Sequence, residues 1–184
     1  MRGVDSPHMS AGMKPCDVEF LAGREEIEIV PFFESPVLHF IGGTYGPFRP
    51  PFPVKVPLWV ALELKKRGRC RVVEPAWLAV QRLRLFLEGE KSSEVFSDIP
   101  FRYVEISSLL FARCSDNIAD SEQSRLLIKE IREARTKKIA AGLRGCDGYA
   151  MWLSNISWAE VCEIRGVLCE MMGMFQWMES ASGL

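Results

Sequence analysis

At 184 residues the chain is long enough for one large domain or two small ones with a real core. Hydrophobic residues at 48% against 26% charged residues exclude general disorder. A formal net charge of −1 excludes a global field that would draw the chain onto phosphate or anionic lipid, so any DNA contact is local and weak or indirect.

Residues 1 to 16 read as a flexible tail without the apolar stretch of a signal peptide, and Met13 is a second candidate start. No later segment has the apolar length of a membrane span, so no membrane partner is expected. In EEIEIVPFF, Ile27 and Ile29 alternate with Glu26 and Glu28, the period of a half-buried strand, and Pro31 closes it. Val37 to Gly43 reads as a second strand ending in a glycine turn.

The stretch GPFRPPFPVKVPLW, Gly46 to Trp59, sets five prolines within eleven residues. Because Phe48, Phe52, Val54 and Val56 are interleaved with the prolines, it reads as a packed, extended connector rather than a solvated docking ligand. Val54 to Leu58 suits a short strand, and Pro57 the first position of a helix. That helix, PLWVALELKKR, carries Leu58, Ala61, Leu62 and Lys65 on one stripe, with Gly68 as its stop. Arg69 to Val73 reads as a strand returning to the sheet, and Glu74-Pro75 as a boundary.

Downstream the period becomes helical. One helix is expected from near Pro75 to near Gly89, one from about Pro100 to Cys114, and one from an Asp120 cap supported by Gln123, with Leu127, Ile131 and Ala134 as its stripe. The last begins at a capping box of Ser157 and Glu160, flanked by Ile156 and Val161 at the staple positions, and runs to Met178 with apolar residues around most of its circumference. A helix apolar all round is covered all round, by its own bundle or by another subunit. The fold class expected is therefore α+β, predominantly α: a β-rich domain over residues 17 to 75, an α-helical bundle over 76 to 180, and a short tail from 181.

Little here builds a catalytic site. GGTYG lacks the Lys-Ser/Thr of a phosphate loop and is followed by Pro47, which has no N–H. His8 lies in the tail and His39 inside an apolar strand, while the acidic residues are scattered. The six cysteines stand singly, with no zinc spacing, and read as reduced, mostly buried thiols. No metal, cofactor or enzyme activity is expected. The cluster Lys65, Lys66, Arg67, Arg69 and Arg71 could grip phosphate, which makes a nucleic-acid-binding module the alternative reading. Its plainer role is a helix C-terminus whose cations meet exposed carbonyls. A stand-alone peptide adaptor exposing the proline stretch is a further rival.

GPFRPPFPVKVPLWVALELKKRGRCRVVEPAW resembles the central signature of the Psf-two family of GINS complex subunits. LLFARCSDNIADSEQSRLLIKEIREARTKKIAAGLR resembles that family's later helical segment. The resemblance runs from about Asp17 to Arg144. It implies a non-enzymatic nuclear subunit of a heterotetramer with three other GINS subunits, which joins the Cdc-forty-five protein and the MCM hexamer as the replicative helicase, with ATP hydrolysis in the MCM ring. The motif residues it marks as structural are Gly46, Pro47, Phe48, Val56, Pro57, Leu58, Trp59, Asp116, Asn117 and Ile118. Subunit contacts are expected on Leu127, Ile131 and Ala134 and on Ile164, Leu168, Met171, Phe175 and Met178. Burial of the Trp59 ring would make Trp59→Ala cost about 3–5 kcal/mol.

Overall fold

A computed structural model describes residues 20–144 and 154–182. The expected tail, Cys16, and Cys146 with most of the RGCDG segment lie outside those residues. Strand β1 (Glu26–Pro31) buries Ile27, Ile29 and Pro31 and exposes Glu26 and Glu28, as its alternation dictates. It is the central strand of an antiparallel sheet in the order β4–β1–β5. Strand β4 (Val54–Pro57) sets Val56 opposite Ile27, and β5 (Cys70–Val72) sets Val72 opposite Ile29. Beneath them lie Ala22, Leu58 and Ala61.

The segment expected as one strand ending in a turn is a hairpin. Strand β2 (Leu38–Phe40) pairs with β3 (Gly43–Tyr45), so the glycine pair belongs partly to the turn and partly to the returning strand. The proline stretch that follows is half anchored. Phe48 is buried, stacks on Phe33 at 5.3 Å between centroids, and exchanges backbone hydrogen bonds with Ser35 at 2.9 and 3.0 Å. Phe52 points outward, contrary to the packed connector expected there.

Helix α1 (Leu58–Lys66) begins one residue later than expected, because Pro57 is the last strand residue and stands at the N-cap. Its first amides find backbone acceptors, Leu58 on Glu25 (2.8 Å) and Trp59 on Gly23 (3.0 Å). Gly68 ends the helix with φ at 66°, a left-handed turn that a side chain disfavours. Burial of the buried thiol pushes Cys70 on β5 up to about 11, so it stays protonated at neutral pH.

Helix α2 (Val80–Ser92) also starts late, after a turn closed by the Leu78 amide on Pro75 that seats Leu78 in the core. The helix ends near Gly89 as expected, at Ser92, with the Ser93 amide on the Gly89 carbonyl at 3.0 Å. The chain folds back so closely that a Cβ at Gly89 would lie 3.0 Å from the Ser97 hydroxyl. Helix α3 (Tyr103–Arg113) and a 3-10 turn (Ser115–Asn117) lead to α4 (Ser121–Arg144), which packs chiefly along α2. Asp120 precedes α4 with φ at 50°, and its carbonyl receives the Ser124 amide at 3.0 Å; no side-chain bond to Gln123 closes the expected box. Helix α5 (Trp158–Ser182) continues beyond Met178 into the segment expected as tail. One contiguous core runs from Ala22 to Ile131 through both halves.

Candidate functional site

Two constructions decide what this molecule can do: a joint between sheet and bundle, and the anchoring of α5. The joint is built by the Ser115–Asn117 turn. Asn117 Oδ1 accepts the Val72 amide at 3.1 Å on the outer edge of β5, and Asp116 takes the Lys65 ammonium at 2.6 Å at the end of α1. Hydrogen bonding from Lys65 holds the Asp116 carboxyl below its usual range. Ile118 is buried beside them, and the Ala119 amide reaches Glu74 at 3.4 Å. The motif residues Asp116, Asn117 and Ile118 thus close a sheet edge rather than hold a ligand.

The proline-stretch residues divide. Phe48, Val56, Pro57 and Leu58 are in the core. Gly46, with φ at 111°, leads into Pro47 where a Cβ would meet the Phe48 ring at 3.2 Å. Trp59 is 49% exposed and makes an edge-to-face contact with Phe40 at 5.8 Å, which corrects the expectation of a buried ring.

The basic cluster is dispersed. Lys65 is spent on Asp116 and Arg67 pairs with Glu63 at 2.8 Å within α1, while Lys66, Arg69 and Arg71 face solvent. Among the described residues no group of three or more His, Cys, Asp or Glu could hold a metal ion. No described helix is long and apolar enough to cross a membrane.

Helix α5 is fixed at its start by a buried ion cluster that sequence reasoning missed. Its capping box forms as expected, the Ser157 amide on Glu160 Oε2 at 2.8 Å and the Glu160 amide on Ser157 Oγ at 3.4 Å. The same carboxylate also accepts two bonds from Arg135 of α4, at 2.6 and 2.9 Å. Arg135, wholly buried, donates further to Glu90 of α2 (2.8 Å) and to the Asn155 carbonyl (2.6 Å), and its guanidinium lies 4.7 Å from the Phe96 ring. Lys138 adds a second cation on Glu90 at 2.5 Å. Burial pushes both carboxyls up, but the hydrogen bonds and charge of Arg135 and Lys138 outweigh it and hold Glu90 and Glu160 low. A signal for this cluster exists in the sequence. Arg135 stands four residues after Ile131 and Glu90 three after Leu87, each charge on an apolar stripe.

Past this anchor α5 leaves the bundle. Ser157, Glu160 and Ile164 are buried, and beyond Ile164 no described side chain of the helix is. Yet its apolar stripe continues through Leu168, Met171, Phe175 and Met178 at spacings of four, three, four and three, the repeat of a helix-packing seam. Leu168, Met171 and Phe175 are half-buried, Val167, Met172, Met174 and Trp177 are exposed, and the side chain of Met178 is not among those described. Ile164 fills this chain's own interior, as do Leu127 and Ile131 of α4, which removes three of the expected contact residues from any partner surface; Ala134 is half-buried. Cys162 and Cys169 are exposed on α5, contrary to the expectation of buried thiols, whereas Cys70 and Cys114 are buried.

A strand-rich module locked to a helical bundle, with a long helix projecting its seam, defines the class as a helical-bundle assembly protein. Comparison with known proteins is specific. Residues 14–73 match the PSF2 N-terminal domain and residues 77–179 the GINS complex protein helical bundle domain. The chain is 38% identical over 164 residues to the DNA replication complex GINS protein psf2 of Schizosaccharomyces pombe, covering 89% of this chain and 90% of that one. It is 39% identical over 128 residues to the human DNA replication complex GINS protein PSF2, 69% of each chain, and 35% identical over 154 residues to the protein of that name in Xenopus laevis, 81% and 83%. The chain belongs to the PSF2 family of GINS complex proteins.

Proposed function

We propose that this chain is a non-catalytic structural subunit of a GINS complex in nuclear DNA replication, assembled with three other GINS subunits. In this reading residues 17 to 75 and 76 to 180 are its two domains, and the complex joins the Cdc-forty-five protein and the MCM hexamer, whose ring supplies ATP hydrolysis. The observation that carries it is the seam of α5. About 37 Å of helix is held at one end by Arg135 and Glu160, while Leu168, Met171 and Phe175 continue the seam without a covering helix among the described residues. Apolar area continued along one side of a projecting helix marks a protein–protein contact surface. Family membership names the partners that fit. The nucleic-acid reading is weakened by the commitment of Lys65 and Arg67 to carboxylates.

Co-expression with the three other GINS subunits of the same organism, followed by size exclusion with light scattering, tests this. A complex holding one copy of each supports the reading. A monodisperse monomer of 20.9 kDa that ignores those subunits contradicts it.

A further inference from the structure

A second surface, between two helices of the bundle, has chemistry of its own. Helices α3 and α4 leave between them an open groove of about 380 Å³. Its floor is apolar, made by Val104 and Phe111 of α3 and Ile128 of α4. The hydroxyl of Ser107 is turned back onto the Val104 carbonyl at 3.0 Å and demands nothing from an occupant. Along the α4 rim stand Arg125, Lys129 and Arg132, spaced four and three apart and therefore on one line of that helix. Among the described residues no carboxylate lines the groove.

The rim charge is largely uncompensated. Arg125 lies over the Phe111 ring at 5.3 Å and has no ion pair among the described residues. Lys129 meets Glu133 only at 3.9 Å, with both groups well exposed, a pairing that water and salt reduce to little. Arg132 is engaged by Glu163 of α5, which stands one turn before the exposed Val167, so the groove opens onto the projecting helix.

We infer that the α3–α4 groove docks an acidic amphipathic helix of a neighbouring subunit, apolar residues on Val104, Phe111 and Ile128 and carboxylates toward Arg125 and Lys129. This rests on the assembly reading above. Charge complementarity selects an acidic occupant, and an apolar floor beside a single line of cations is the pattern of helix-in-groove recognition. A nucleic acid fits less well, because the only aromatic ring of the floor is buried beneath Arg125 and offers no face for stacking.

The test uses the four-subunit assembly. A photoreactive residue replacing the exposed Ser108, Ser108→p-benzoylphenylalanine, should cross-link to a helix carrying acidic residues three or four apart. Arg125→Glu with Lys129→Glu should weaken association about tenfold at low salt and less at high salt, and reversing the acids of the captured helix should restore it. Assembly of the Ser108-substituted chain without a cross-link, or with one to a basic or neutral segment, overturns the groove and leaves the assembly reading intact. Failure of the wild-type chain to assemble overturns both. Loss of duplex DNA binding by the charge-reversed chain, with assembly unaffected, overturns it in favour of nucleic acid.

Discussion

The carboxamide oxygen of Asn117 receives the amide of Val72 at 3.1 Å, so a residue of the helical half terminates the sheet of the other half. An edge strand otherwise presents unpaired backbone groups to any chain that passes. Removing the acceptor in Asn117→Ala leaves that amide without its partner and should destabilise the protein by about 1–3 kcal/mol. Denaturant titration measures the loss, and amide exchange at Val72 should accelerate with it. Asp116→Ala, which breaks the pair with Lys65 and a long bond from the Asn117 side-chain amide on the exposed side of the turn, should cost less, about 0.5 kcal/mol.

Arg135 has no comparable substitute. Arg135→Met strands the buried Glu160 carboxylate and leaves Glu90 with Lys138 as its one cation, and should cost about 3–5 kcal/mol. Arg135→Lys should fail to restore the loss, since one ammonium cannot bond Glu160 through two parallel donors. Replacing Glu90, Arg135 and Glu160 together by methionine should recover much of it, measured by urea unfolding of all three variants. A single variant as stable as the parent would contradict the assignment of the cluster as the anchor of α5.

Acid unfolding should separate two kinds of buried carboxyl. Glu90 and Glu160 are held below the ordinary value of 4.5, so the stability they contribute is present above that pH and is lost as pH falls through their folded values. Glu105 is the reverse. Burial raises it, and neither of its oxygens has a hydrogen-bond partner, so ionising it disfavours the fold as pH rises from 4.5 through its folded value. Glu160→Gln should therefore destabilise at pH 7 and Glu105→Gln should not, its thermal midpoint at pH 7 equal to or above that of the parent.

Phe48 and Trp59 share one motif and should behave differently. Phe48→Ala removes a fully buried ring stacked on Phe33 and should cost about 3–5 kcal/mol. Trp59→Ala removes a half-exposed ring with an edge contact to Phe40 and should cost about 1 kcal/mol. Thermal unfolding of the two variants ranks them, and the opposite order would place Trp59 in the core.

What the sequence showed follows what is local in it. The alternation at Glu26 to Ile29, the Gly68 stop and the Ser157–Glu160 capping box are set by residues within one turn or strand, and each is read directly. Gly89 is read correctly as lying near a helix end, its carbonyl taking the Ser93 amide, but its approach to Ser97 is tertiary and has no local signal. Trp59 misled because position beside an apolar stripe does not fix burial. Nothing local marks the cations of Arg135 to Lys138 for burial, and only tertiary placement of Glu90 and Glu160 shows Arg135 and Lys138 to be interior ties. Likewise the helix-borne contact residues were read as apolar area alone, and periodicity cannot say which part of a seam the chain uses itself.

If another subunit covers the seam of α5 beyond Ile164, the methionines along it are shielded in the assembly. Methionine oxidation by dilute peroxide, read peptide by peptide in the four-subunit assembly and compared with free methionine, addresses it most directly, because Met171 and Met174 lie along that side of the helix and Met174 is 65% exposed in this chain. Both should resist oxidation in the intact assembly. Oxidation of both at the rate of free methionine, with the assembly still whole, would contradict it.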